Sequence, residues 1–329
     1  MKNKPAVLAF FYFNLSLYPI LMSTRLLVIG GPTACGKSAL ALGLAELLDG
    51  IVINADSMQV YRDLHVVTAR PDIVAEQRVP HRLYGTLDGG ELCSAARWAG
   101  MAAEEISAAG RDGRLPIVVG GTGLYLRTLL YGIAAVPAVA EEHREAARAL
   151  HMELGAGAFH AALARLDPES AARLHPNDSQ RVVRAYEVVT GTGRSLGEWQ
   201  AAAAETVPPY RPYIVTLLPP RESLYAACEA RFDAMMAAGA LEEVEVLLRR
   251  NLAPDLPIMK AVGVPELARL VRGEQSREAA LSDAKQATRN YAKRQYTWFR
   301  HQLSPDWQSD TQFSNSLVVE IGHKIRNLD

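Results

Sequence analysis

The residues Gly31-Pro32-Thr33-Ala34-Cys35-Gly36-Lys37-Ser38 fit the pattern G-x-x-x-x-G-K-[ST] in full. The chemistry of that spacing is anion capture. Its glycines let backbone N–H groups close around phosphate oxygens, and the start of the helix that follows adds positive potential. Lys37 supplies a point charge for a terminal phosphate, and the Ser38 hydroxyl suits Mg²⁺. The pattern specifies a polyphosphate or a diphosphate, not ATP in particular. It leaves two classes open: a small-molecule kinase, in which the γ-phosphoryl group moves, and a transferase, in which diphosphate leaves from carbon.

Further reactive side chains follow. Asp56 lies just past the apolar run Ile51-Val52-Ile53-Asn54. An acidic residue beyond a strand's carboxyl end faces the ligand crevice of an open α/β sheet. There it takes a proton from a nucleophile, or it caps a helix. Ser57 and Gln59 can bond a base edge or merely satisfy the turn. Gly120-Gly121-Thr122-Gly123 enters another helix, making a second backbone corner that suits an anion. Thr122 could donate to a leaving oxygen, or the turn could simply require small residues. Arg231 stands near Phe232 and Met235, and either an anionic ligand or a buried carboxylate would explain it. His81 reads as a structural hydrogen-bond partner, since no second metal ligand lies near it in sequence. Cys35, Cys93 and Cys228 form no C-x-x-C pair, which points to a reducing compartment.

Two segments carry nucleic-acid chemistry. Gln180, Arg181 and Arg184 lie on one helical stretch, with Gln180 and Arg184 on one side. They suit phosphates or base edges, or a solvated face with a salt bridge. Lys285 to His301 reads KQATRNYAKRQYTWFRH, without an acidic residue. Arg289, Lys293, Tyr296 and Arg300 recur on one helical face, with Tyr291, Trp298 and Phe299 interleaved. Basic residues among aromatics are the footprint of contact with single-stranded or looped RNA, unless the aromatics belong to a core.

These residues need rigid elements behind them. Leu26 to Gly30, Ile51 to Asn54, Pro116 to Val119 and Tyr213 to Leu218 read as buried strands. Ala39 to Leu48, with Leu40, Leu44, Leu47 and Leu48 on one face, reads as a helix, as does Cys93 to Ala109 with Trp98 and Ile106 inward. From Pro137 to Pro208 strand-like runs vanish. Glu141 to Leu154 and Ala158 to Leu166 are helical, Gly191-Thr192-Gly193 ends a third helix, and Pro208, Pro209 and Pro212 mark a hinge. The expected fold class is α/β: a P-loop NTPase-like parallel sheet core over 23–136 and 209–303, with an all-helical domain inserted over 137–208. Residues 304–329 read as a loose tail. Residues 1–22 place Lys2 and Lys4 ahead of an apolar run from Ala6 to Phe13, without an A-x-A-like cleavage site. They read as an over-extended start or an appendage outside the fold, with Met22 as an alternative beginning.

The chain has 329 residues, 49% hydrophobic and 22% charged, which excludes a collagen, a disordered tail protein or a small disulfide scaffold. Its 35 Lys and Arg against 36 Asp and Glu exclude a uniformly basic binder but not a local basic patch.

GPTACGKS, ADSMQVY, TARP, PHRL, GGTGLYL, HPNDSQRVVRA and AKRQYTWFR occur in one order. Together they resemble the tRNA dimethylallyltransferase (tRNA isopentenyltransferase) family from about Leu26 to Arg300. The resemblance implies transfer of a dimethylallyl group from its diphosphate to N6 of the adenosine 3′ of the anticodon. It implies Gly31 to Ser38 as the diphosphate loop with Mg²⁺ at Ser38, and Asp56 as proton acceptor. It implies Thr122 at the leaving oxygen, with Lys37 and Arg231 taking up charge. Asp56, Ser57, Met58, Gln59, Thr122, Arg144, Gln180, Arg181, Arg184, Lys293, Arg294 and Arg300 would touch the anticodon stem-loop of tRNA, which the helical insertion would grip. It further implies a monomeric cytoplasmic enzyme with no membrane contact. Val67 stands where the family usually has Gly, Arg70 replaces a Lys, Cys93 an aromatic and Ala227 an Arg, and Val264-Pro265 departs from a usual Gly-Tyr sequence.

Overall fold

The computed structural model describes residues 25–203 and 210–327. The expectations for residues 1–22 and for the Pro208-Pro209 hinge lie outside the described residues. The described chain divides into two compact units, one of residues 131–203 and one of residues 25–130 with 210–327.

The larger unit is an α/β fold on an all-parallel, six-stranded sheet. Its first half runs β1 (Arg25–Gly30), α1 (Lys37–Leu48), β2 (Gly50–Asn54), α2 (Ile73–Arg78), β3 (His81–Arg82), α3 (Ala95–Arg111), β4 (Leu115–Gly120) and α4 (Gly123–Tyr131). The helical unit holds α5 (Glu141–Leu166), α6 (Pro168–Arg173), α7 (Ser179–Thr192) and α8 (Leu196–Ala203). The chain then returns through β5 (Arg211–Leu217), α9 (Arg221–Ala237), α10 (Ala240–Arg249), α11 (Val264–Val271), α12 (Arg277–Gln302), β6 (Trp307–Ser309) and α13 (Asn315–Arg326).

The strand order is β3-β2-β4-β1-β5-β6, so β1 lies between β4 and β5. The central strands are buried on both faces, which is why they read as unbroken apolar runs. One core cluster joins Leu27 and Ile29 of β1, Leu40 and Leu44 of α1, and Val215 and Leu217 of β5. The loop after β1 and the turn after β4 therefore leave neighbouring strands at the carboxyl edge of the sheet, where ligands bind in open α/β folds. In the helical unit, Phe159, Leu163, Val182 and Ala185 form a separate core. Gly155, at φ 72° and ψ 170°, interrupts α5 in the gap between the two helical runs expected from sequence. Among the described residues, no helix is long and apolar enough to cross a membrane.

The expectation of a loose tail over 304–329 is not met. β6 pairs with β5 through Val215–Trp307, Thr216–Gln308 and Leu217–Ser309, and Asp306 receives the Ile214 N–H at 2.7 Å. Leu317, Ile321 and Ile325 of α13 join the core cluster beside α1. A three-residue strand is too short to show period-two alternation, and the helix's apolar residues are sparse among polar ones. Replacing the fully buried Ile321 with Ala should destabilise the larger unit by about 2–5 kcal/mol, read as a lowered urea midpoint. A tail detached from the core would leave the midpoint unmoved.

Candidate active site

The loop Gly31–Ser38 joins β1 to α1 and turns back on itself, with the Cys35 N–H reaching Pro32 O at 3.4 Å. Helix α1 begins at Lys37 behind Gly36, whose φ of 93° belongs to glycine territory. A side chain there would also meet Phe313, whose Cβ lies 2.5 Å from where a Gly36 Cβ would stand. The C-terminal segment thus packs against the loop itself.

Lys37 Nζ donates to Pro32 O at 3.2 Å, folding the ammonium back over the loop. Arg231 of α9 donates to the Thr33 hydroxyl. Among the described residues neither cation has a carboxylate at ion-pair distance, so of the two explanations left open for Arg231 the buried carboxylate drops out. Burial pulls the Arg231 pKa down, and the nearby Asp56 charge is among the groups that oppose this. Burial also pushes the Cys35 and Cys228 thiols up, so both remain neutral packing groups at the loop. Ser38 is exposed at the first turn of α1.

Asp56 is fixed by the strand before it. Asn54 is fully buried, and its amide donates to Asp56 O and Leu83 O at 3.0 Å each while its Oδ1 receives the Asp56 N–H at 2.8 Å. No helix follows Asp56. Its Oδ1 instead receives the Met58 N–H at 2.9 Å, a turn of the Asx type, and among the described residues nothing donates to Oδ2. Burial and then the Asp56 charge push the Tyr84 phenol up, and the same two causes lead for Tyr291. Both phenols stay protonated beside Asp56.

Thr122 links the two halves of the site. Its hydroxyl receives the Ser57 N–H at 2.9 Å and donates to Ser57 Oγ at 3.3 Å, and Tyr291 interacts with the same side chain. Gln59 spends its amide N–H groups on Thr68 O at 2.8 Å and Ala69 O at 3.0 Å, holding the loop that carries Arg70. Glu243 of α10 grips that loop from the other side, receiving the N–H groups of His65, Val66 and Val67 at 2.6–2.9 Å. His81 bonds Val79 O at 3.0 Å, as its structural reading expects.

Helix α12 has two faces. Lys293, Arg294 and Arg300 are exposed, and Lys293 and Arg300 form no ion pair among the described residues. The basic face read from sequence is smaller than expected, because Arg289 pairs with Glu229 and Lys285 with Asp233 on α9, at 2.6 Å for the latter. The inner face carries Gln295 and Phe299, both buried. In the helical unit, Arg148, Ser179, Gln180, Arg184 and Glu187 line an open pocket of about 400 Å³. Arg184 pairs with Glu187 at 3.2 Å, Arg181 with Asp178 at 3.5 Å and Arg144 with Glu141 at 3.1 Å, all within one helix or its cap.

Asn54, Gln295, Phe313 and Glu243 escaped the sequence reading. Asn54 left a trace, as a polar residue ending an apolar strand that must be buried with partners. Gln295 stood inside a motif credited to RNA contact.

The fold and the site define an α/β protein in which a glycine-bearing loop at the end of β1 gathers Lys37 and Arg231 without a carboxylate partner among the described residues. Residues 59–302 match the family described as IPP transferase, and the chain belongs to that family. It is 58% identical over 279 residues to a tRNA dimethylallyltransferase of Rhodospirillum centenum, spanning 84% of this chain and 89% of that one. A relative of the same name from Rhodospirillum rubrum is 55% identical over 91% of each chain. Among solved structures, it is similar to the full-length tRNA isopentenylpyrophosphate transferase of Bacillus halodurans, with a TM-score of 0.68 and 33% identity over 92% of this chain and 96% of that one. It is also similar to a eukaryotic dimethylallyltransferase acting on tRNA, with a TM-score of 0.69 and 29% identity over 84% and 70% of the chains.

Each cation should carry a charge-assisted bond to a bound anion, about 1.5–3 kcal/mol. Lys37→Ala and Arg231→Met should therefore each weaken binding of inorganic diphosphate roughly tenfold or more by titration calorimetry. Wild-type affinity in both variants would place the anion elsewhere.

Proposed function

We propose that the protein transfers a dimethylallyl group from dimethylallyl diphosphate to N6 of the adenosine 3′ of the anticodon in tRNA and releases diphosphate. The observation that carries this reading is the conjunction of two cations without a carboxylate partner, Lys37 on the loop after β1 and Arg231 bonded to it from α9, with an aspartate that keeps one oxygen undonated among the described residues. Family membership supports it, and so do the names of the relatives.

In this reading the C1–O bond of the allylic diphosphate breaks and the electron pair leaves with the diphosphate oxygen. The N6 lone pair forms the new bond to C1, and the N6 proton passes to Asp56 Oδ2. An exocyclic amine is a weak nucleophile, and allylic cleavage builds positive charge on carbon and negative charge on the leaving group. The largest demand is anion stabilisation, which Lys37, Arg231 and the N–H groups that open α1 would meet with donors already in place. Thr122 is held by Ser57, and its hydroxyl would turn from Ser57 Oγ to donate to the leaving oxygen. Proton removal is a smaller contribution, and the adenine must leave its stack to reach the carboxylate.

Magnesium fits this donor set in a limited way. The described residues offer no group of three His, Cys, Asp or Glu side chains, only the exposed Ser38 hydroxyl beside the loop. Mg²⁺ keeps most of its waters and binds through few protein ligands plus substrate phosphates, so Ser38 would hold it against the diphosphate. Bound there, it would neutralise charge on the leaving group.

The exposed Lys293, Arg294 and Arg300, with Gln180, Arg181, Arg184 and Arg144 of the helical unit, would take the RNA. The alternative, a small-molecule kinase, rests on the loop pattern alone and gains nothing from the relatives.

Incubation with labelled dimethylallyl diphosphate and an anticodon stem-loop should put label into RNA. ATP consumption without RNA labelling would favour the kinase. Asp56→Asn should keep stem-loop binding and lower turnover by roughly 10²–10⁴-fold, and wild-type turnover would remove Asp56 as the base. Replacing Lys293 and Arg300 with Gln should reduce the slope of log affinity against log salt by about 2 if each meets one phosphate. An unaltered slope would move the docking face elsewhere.

A further inference from the structure

Gln295 occupies a place no role above accounts for. Its side chain is 5% exposed. Oε1 receives the Thr33 N–H at 2.8 Å, and Nε2 donates to Gly121 O at 2.9 Å. One amide from α12 therefore ties the phosphate loop after β1 to the turn after β4. The approach is possible because residue 121 has no side chain, since Gln295 Nε2 stands where a Gly121 Cβ would be. The orientation of the amide follows from its partners. A backbone N–H can only donate and a backbone C=O can only accept, so oxygen must face Thr33 and nitrogen Gly121.

Both partners lead to reacting groups. Thr33 receives Arg231 on its hydroxyl. Gly121 precedes Thr122, which holds Ser57 next to Asp56. A continuous line of bonds thus runs from the leaving-group cation to the proton acceptor, with Gln295 at its centre.

We infer that Gln295 is a positioning residue that sets the distance between the diphosphate loop and the Asp56–Thr122 side of the site. The inference rests on the prenyl-transfer reading for its substrates. Displacement transfer needs nucleophile, carbon and leaving group in line, and each half of the site can bind its own substrate without being in register with the other. Misplacement on the scale of one ångström costs rate rather than affinity. The residue must accept on one side and donate on the other. Methionine does neither. An ionised glutamate accepts from Thr33 but cannot donate to Gly121, and it sets a negative charge beside the diphosphate. A protonated glutamate does both, as glutamine does.

The test compares wild type, Gln295→Met and Gln295→Glu in the full-length protein. Wild type fixes the baseline for prenyl transfer, for inorganic diphosphate binding and for stem-loop binding. Gln295→Met should keep both affinities and lose roughly 100-fold in kcat. Gln295→Glu should be impaired at neutral pH, and its kcat relative to wild type should rise as pH falls and the introduced carboxyl takes up a proton, with no such recovery in Gln295→Met. Because each rate is divided by that of wild type at the same pH, any pH effect shared with wild type cancels. A flat ratio for Gln295→Glu, or Gln295→Met with wild-type kcat, overturns the inference. If Gln295→Met fails to fold, the pH recovery of Gln295→Glu decides alone. A wild type that transfers no prenyl group sinks the functional reading instead. The inference, which concerns the register between the two substrates of that reaction, then falls with it.

Discussion

In the proposed reading, a diphosphate site at a strand end works only if its donors are kept from satisfying one another. Backbone N–H groups seek carbonyls, and buried cations seek carboxylates. Here Lys37 rests on Pro32 O and Arg231 on a threonine hydroxyl, neutral acceptors that an anion can displace or add to at little cost. Keeping carboxylates away from both cations is the constraint that the surrounding structure serves. Asp56, a carboxylate whose charge acts on Arg231, has an oxygen tied to the Met58 N–H.

The elements that meet this constraint come from distant parts of the chain. The middle of the sheet supplies β1 and β4 as rigid floors. Helix α12 crosses their carboxyl ends, with Gln295 on two backbone groups and Phe299 against Gly30. The C-terminal segment adds a sixth strand and sets Phe313 against Gly36. The candidate catalytic side chains thus sit on short loops, and Gln295 pins the Thr33 and Gly121 backbones from 262 and 174 positions away in sequence. One helix then offers an inner face to the loop after β1 and an outer basic face to solvent.

Much of this was legible in the residues. The loop GPTACGKS declares its backbone geometry, because its glycines and Lys37 have no common alternative use at that spacing. The runs Leu26 to Gly30 and Ile51 to Asn54 are short, apolar and bounded by turns, and they became β1 and β2. Gly155 falls between two helical patterns and breaks α5. What stayed hidden depends on contacts between distant segments. Gln295 reads as one polar residue in a basic helix, and only the packing shows both ends of its amide to be used. Arg289 shares helical spacing with Lys293, yet Glu229 on another helix turns it inward. The short strand Trp307–Ser309 exists because β5 has a free edge, and nothing local announces it.

The account stands on which bond breaks at the loop. Dimethylallyl diphosphate carrying ¹⁸O in the bridging position separates the possibilities in one turnover, read by mass spectrometry of both products. Cleavage between carbon and oxygen should deliver all of the heavy isotope in the released diphosphate, with none in the prenylated RNA. Isotope retained on the prenyl carbon would mean that phosphorus, not carbon, is attacked at this loop, and the account would fail.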